Sequence, residues 1–215
     1  MSGAARTVLL TGFEAFDGQA VNASWLAVRE VAARWEGPAA LHVRCLPVSF
    51  RGARQALRTA VAELQPHVVL CVGEAARPAV GLERVAVNVI DARIPDNDGS
   101  APVDVPVVAG APVAFLSRLP LKAALVAAQA TGVPVEVSNT AGTYVCNATF
   151  YALMHLLDRS PEVIGGFVHV PRTPEQVRPG EASLSTTAAA DVLLAVLSAT
   201  GRGAADVRVA AGTEA

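Results

Sequence analysis

Apolar positions along this chain come in short runs that alternate with amphipathic stretches. Residues 7–12 (TVLLTG) form a compact apolar run closed by glycine, the pattern of a buried strand. Residues 13–22 have loop composition. From 23 to 35 the spacing turns helical. Trp25, Val28, Ala32 and Trp35 mark one face, Asn22 is placed to cap the start, and Gly37 and Pro38 stop the helix. Residues 41–48 predict a second strand. Residues 52–64 predict a helix with the stripe Ala53, Ala56, Leu57, Ala60, Val61 and Leu64, broken by Pro66. A strongly apolar strand follows at 67–72. Strands of this kind alternating with helices imply a parallel sheet covered on both faces and joined by right-handed crossovers.

The second half is less regular. Residues 74–82 read as loop and 84–90 as strand. Residues 95–112 are rich in Pro, Gly, Asp and Asn and contain PDNDG. An irregular segment of that length inside a compact domain is usually functional or mobile. Helix is expected at 121–130, strand at 133–138, and a polar, glycine-containing stretch at 139–145. Residues 146–157 read as helix with Phe150, Leu153, Met154 and Leu157 on one face, 163–170 as a last buried strand, 171–179 as loop and 184–197 as the final helix. No internal repeat is found. The fold class expected is α/β, with one domain over residues 1–200 and a flexible tail over 201–215.

Composition narrows the function classes. With 215 residues, 52% of them hydrophobic and 17% charged, the chain can fill one core. Seventeen basic against nineteen acidic residues leave a net charge of -2, so no basic excess points to nucleic acid. Cys45, Cys71 and Cys146 are odd in number and scattered, which excludes a disulfide framework. The apolar run near the N-terminus is too short for a signal sequence. The uncharged run 137–157 is interrupted by Ser, Asn, Thr and Gly, so no membrane segment is expected. A reducing, cytoplasmic setting fits these features.

Ligands of open parallel sheets bind beyond the carboxyl ends of the strands. Four segments are expected there: 13–18, 74–83, 139–146 and the strand end carrying His169. Cys146 opens a helix, where unpaired N–H groups stabilise an anion and lower a thiol pKa. It reads either as a nucleophile or as an inert buried thiol, while Cys71 and Cys45 read as packing residues. His169 is a candidate base, with His42, His67 and His155 as alternatives. Glu83 is placed to orient an imidazole or to pair with Arg84. Arg93 serves a site or pins the 95–112 segment to Asp91 or Asp96. No metal-ligand spacing, P-loop, GxGxxG or GxSxG motif occurs.

The segments TVLLTGFEAFDG, VNASW, CVGEAARP, ERVAVNVIDARIPDNDG, VSNTAGTYVCNATFYALMH and GGFVHVPRTPEQ resemble the pyroglutamyl-peptidase type I (pyrrolidone-carboxylate peptidase) family over roughly residues 7–197. That resemblance implies a three-layer α/β/α sandwich around a mostly parallel twisted sheet. It also implies a thiol hydrolase that removes N-terminal pyroglutamate from peptides. By the same resemblance Cys146 matches the nucleophile, His169 the base and Glu83 the third member. Phe13 and Phe16 match an aromatic pair around the ring. Asn22, Glu74, Arg93, Ile94, Tyr144 and Val145 match positions at or near the pocket. No metal or cofactor is implied, and assembly as a homotetramer or homodimer is. A non-catalytic binder of pyroglutamyl peptides and a nucleoside or nucleotide enzyme on a similar sandwich are the rival readings. Three departures stand out. Glu74 replaces a usual Gln, Arg172 replaces a common Tyr, and the 74–83 segment is about one residue short.

Overall fold

Residues 6–201 and 206–212 are described by a computed structural model. Six strands form the central sheet: β1 (Thr7–Phe13), β2 (Ala40–Leu46), β3 (Val68–Ala75), β4 (Val80–Glu83), β7 (Val135–Ser138) and β8 (Ile164–Pro171). Their order is β2-β1-β3-β8-β4-β7. β2, β1, β3 and β8 run parallel. β4 lies antiparallel to β8 and parallel to β7, so the sheet is mostly parallel with two reversed strands at one side.

Helices cover both faces. α1 (Ala23–Ala33), α3 (Leu121–Gln129) and α5 (Thr186–Gly201) bury Val28, Val31, Leu125, Val192 and Val196 with Leu10, Leu70 and Val168 of the sheet. On the other face α2 (Phe50–Leu64) and α4 (Val145–Leu157) bury Leu57, Phe150 and Leu153 against Leu9, Val69 and Phe167. Alternate residues of β1 thus feed opposite cores, as a two-faced strand requires. Helix starts match their side-chain chemistry. Asn22 accepts from Ser24 N at 3.1 Å and Ser49 accepts from Gly52 N at 3.0 Å, each cap worth roughly 1 kcal/mol.

The structure corrects several boundaries. The segment expected to be loop at 74–82 continues β3 to Ala75 and begins β4 at Val80. Only Val85–Val87 of the strand expected at 84–90 is extended. It forms β5, which pairs with β6 (Ala114–Leu116) in a separate two-stranded sheet. The buried amide of Asn147 holds β5 to α4, accepting from Val87 N and donating to the carbonyls of Val87 and Val89. The 95–112 segment is anchored rather than structureless. Ile90 bridges Val105, and Asp96 accepts from Phe50 N at the start of α2 and from Asp98 and Ser100. Cys45, expected to pack, is exposed. Of the tail expected after Gly201, residues 202–205 and 213–215 lie outside the described residues. Within 206–212, Asp206 accepts from Lys122 N and Ala123 N at the start of α3, and Ala211 packs on the core.

Candidate active site

Three strands and one helix start meet on the sheet face covered by α2 and α4. His169 stands on β8, with Gly73 of β3 as its register partner on one side and Gly81 of β4 on the other. Glu83 lies two residues beyond Gly81 and therefore points to the same face. Its Oε1 is 2.7 Å from His169 Nδ1. A carboxylate only accepts, so in the neutral imidazole this contact puts the proton on Nδ1 and leaves Nε2 as the acceptor. Phe167, two residues before His169, packs its ring 4.9 Å from the imidazole and fixes its tilt.

Cys146 arrives from above. α4 begins at Val145 after the polar 139–144 stretch, and no side chain caps it. The sulfur lies over Gly73: a Cβ there would stand 2.8 Å from Sγ. The absence of a side chain on β3 thus seats the thiol beside the strand that carries the imidazole. Glu83 and His169 are almost completely buried, whereas Cys146 keeps partial access to solvent.

The electrostatics at the thiol differ from the expectation for a helix start. Burial pushes the Cys146 thiol up to about 12, Glu83 and then Glu74 add to the rise, and Arg77 opposes it. Burial around the sulfur and the two nearby carboxylates favour the thiol over the thiolate, against the pull of the helix N-terminus. Cys71, wholly buried on β3, is also pushed up to about 12 by burial.

A cavity of about 160 Å³ opens beside Cys146. Its walls include seven expected residues: Phe13, Phe16, Asn22, Glu74, Tyr144, Val145 and Cys146. Phe13 ends β1 rather than lying in a loop, and it packs on Phe167 at 6.4 Å. Phe16 leans on Tyr144 at 5.4 Å, and Tyr144 donates to the Pro95 carbonyl. The carboxylate of Glu74 is fully engaged. Oε2 accepts from Ala23 N at 2.7 Å and Gln176 Nε2 at 2.8 Å, and Oε1 accepts from Arg172 Nε at 3.2 Å. Glu74 and Arg172 therefore form an ion pair in one wall.

Other expected residues stand elsewhere. Arg93 is exposed and in no ion pair among the described residues, and neither it nor Ile94 lines the cavity. Glu83 pairs with His169 and Arg77, not with Arg84. His67 accepts from Thr7 N at the opposite edge, and His155 stacks on Tyr151. Residues not foreseen include Asp17, Val21, Val48, Ala75 and Ala76 in the walls, and Arg77 on Glu83. Nothing in the local pattern marks Arg77, since a single arginine in a turn is the commonest kind of solvated charge.

Comparison with known proteins places this arrangement. A profile of the pyroglutamyl peptidase family matches residues 6–205. The pyrrolidone-carboxylate peptidase of Clavibacter michiganensis subsp. michiganensis is 51% identical over 209 residues, 96% of this chain and 98% of the relative. The corresponding Cupriavidus necator protein is 45% identical, covering 94% of this chain and 96% of its own. The crystal structure of pyroglutamyl peptidase I from Bacillus amyloliquefaciens superposes with a TM-score of 0.91 at 39% identity, over 96% of this chain and all of that one. Likeness in sequence along nearly the whole length and likeness in backbone agree, and this chain belongs to the pyroglutamyl peptidase family.

Proposed function

We propose that this chain is a cysteine exopeptidase that hydrolyses the amide bond after an N-terminal pyroglutamyl residue. The observation that supports this most directly is the alignment of Cys146, His169 and Glu83 on one sheet face beside a small aromatic-walled cavity. In this reading the lactam ring enters between Phe13, Phe16 and Tyr144, which suit a flat uncharged group. His169 Nε2 takes the Cys146 proton as the sulfur attacks the carbonyl carbon. The tetrahedral oxyanion forms near the uncapped start of α4, whose free N–H groups favour negative charge. The imidazolium, stabilised by Glu83, then gives its proton to the leaving amine as the C–N bond breaks, and a thioester remains. Water, deprotonated by His169, cleaves the thioester and releases pyroglutamate and the thiol.

The Glu83–His169 contact survives the shortened 74–83 segment, and no observation favours a non-catalytic binder. In the same reading the chain works in a reducing cytoplasm, which suits its free thiols. Among the described residues no helix is long and apolar enough to cross a membrane. Exposed Val103, Val105, Val113 and Leu116 support assembly into dimers or tetramers, which light scattering of the purified chain tests.

Assay of the purified chain with pyroglutamyl, prolyl and glutaminyl chromogenic amides tests the activity. Selective turnover of the first, abolished in Cys146→Ser, is expected. Proline lacks the ring carbonyl and glutamine carries an ammonium, so each leaves polar groups poorly matched in the pocket. Comparable turnover of all three would point to a generic aminopeptidase.

A further inference from the structure

Arg77 lies in the turn between β3 and β4, outside the lining of the ring cavity. Its guanidinium nevertheless makes three hydrogen bonds into the machinery. Nη1 donates to Glu83 Oε1 at 2.9 Å and to Ser138 Oγ at 3.0 Å, and Nη2 donates to the Thr140 carbonyl at 2.8 Å. Glu83 Oε1 is the same oxygen that faces His169 Nδ1. Glu83 Oε2 is buried with no hydrogen-bond partner among the described residues. A buried carboxylate using only one of its oxygens has no local reason to hold that orientation. What holds it is a planar fork whose other contacts lie on the end of β7 and on the loop leading to α4.

Gly81 makes this contact possible. A Cβ at Gly81 would stand 3.1 Å from Arg77 Nη1 and 3.2 Å from Glu83 Oε1, tighter than ordinary packing allows. Resting on the functional reading given above, we propose that Arg77 is a positioning residue: it locks Glu83 against His169 and ties that pair to the segment that delivers Cys146. One side chain thereby couples the base, its orienting carboxylate and the approach of the nucleophile, although it touches neither substrate nor sulfur.

The guanidinium also acts through charge. The titratable groups that act on the Cys146 sulfur are Glu83 on β4, Glu74 and Cys71 on β3, and Arg77. Tyr144 at the helix start interacts with it in turn, Arg172 lines the same cavity, and His169 stands beside Gly73, over which the sulfur lies. Arg77 opposes the rise that burial, Glu83 and Glu74 impose on the thiol. Removing it leaves those carboxylates less compensated and makes the thiolate harder to form.

The experiment compares wild type with Arg77→Met and Arg77→Lys. Two quantities are read: the pH midpoint of Cys146 alkylation by iodoacetamide, followed on the Cys146 peptide by mass spectrometry, and kcat and KM for a pyroglutamyl amide. Arg77→Met should move the alkylation midpoint upward by about half a pH unit or more. It should lower kcat about tenfold or more while KM stays within about threefold. Arg77→Lys keeps the charge but not the fork, so its midpoint should stay near wild type while kcat is still reduced. Wild-type kcat in both variants, with superimposable alkylation profiles, would overturn the proposal. If Arg77→Met does not fold, Arg77→Lys decides: reduced kcat at unchanged KM supports positioning, and full kcat refutes it. Failure of the wild type to cleave the amide would refute the functional reading instead, and the alkylation midpoints would still decide what Arg77 does.

Discussion

Gly73 lies directly beneath Cys146: a Cβ added to it would stand 2.8 Å from Sγ and 2.8 Å from Cζ of Phe167. Neither neighbour can retreat freely, because Phe167 is wholly buried and Cys146 is fixed by the first turn of α4. Gly73→Ala should therefore displace the sulfur from the imidazole. The expected outcome is a fall in kcat/KM of at least about tenfold, with overpacking costing ~1–3 kcal/mol of stability. Steady-state kinetics alongside thermal unfolding checks this, and wild-type kinetics would show that the sulfur has room elsewhere.

Glu83→Gln keeps the shape of the side chain and removes its charge. The amide oxygen can still accept from Nδ1–H and from Arg77, but a neutral amide stabilises an imidazolium far less than a carboxylate. Its NH2 group would take the place of the buried Oε2, which has no partner among the described residues. The rate should fall at least ~10-fold, with the pH–rate profile altered. Unchanged rate and profile would reassign Glu83 to an architectural role.

Glu74 is one of two carboxylates that raise the Cys146 thiol. Glu74→Gln retains an oxygen for Ala23 N and withdraws the negative charge. Cys146 should then be alkylated faster at a given pH, with its midpoint displaced downward, the direction opposite to that of Arg77→Met. Arg172 loses its charged partner in the same variant, so KM is the parameter expected to reveal any change in the cavity wall.

Alkaline stability should report the buried thiols. Burial pushes Cys71 up to about 12, against a smaller pull from the Thr11 hydroxyl. A thiol raised above its unfolded value stabilises the fold fully below about pH 9, and that contribution is lost as pH rises towards 12. Between pH 8 and 10.5 the loss from Cys71 is ~2 kcal/mol by this linkage. Urea unfolding at the two pH values should show a smaller alkaline loss in Cys71→Ala than in wild type. Cys146, Tyr144 and Tyr151, all raised by burial, contribute in the same direction and remain in the variant.

The two cavity phenylalanines should separate. Phe13 is 2% exposed and belongs to the core, so Phe13→Ala should cost ~3–5 kcal/mol of stability as well as activity. Phe16 is only partly buried. Phe16→Ala should lower kcat/KM for the pyroglutamyl amide by ~1–3 kcal/mol of lost packing with little change in unfolding. Chemical denaturation run beside the kinetics distinguishes them.

Much of the fold was legible in the chain because apolar periodicity records which side of each element faces a core. The runs at β1, β3 and β8, the helices α2 and α4, and the arrival of Cys146 at a helix start follow from local spacing alone, whereas α1 forms where expected but buries Ala23, Ala27, Val28 and Val31 rather than the stripe through Trp25, Ala32 and Trp35. The motifs around Phe13, Glu83, Cys146 and His169 carried the family resemblance, and the cavity gathers most of the residues they implied. Local spacing does not encode which strands become neighbours. Glu83 and His169 are 86 positions apart, and they meet because β4 inserts antiparallel between β8 and β7. The same insertion brings Arg77 to its partners on β4, on β7 and in the loop beyond β7. The thiol shows the limit most plainly. A helix start by itself favours the thiolate, but burial and the carboxylates that packing brings around the sulfur push the thiol the other way, since solvation and charge at a site depend on every element packed against it.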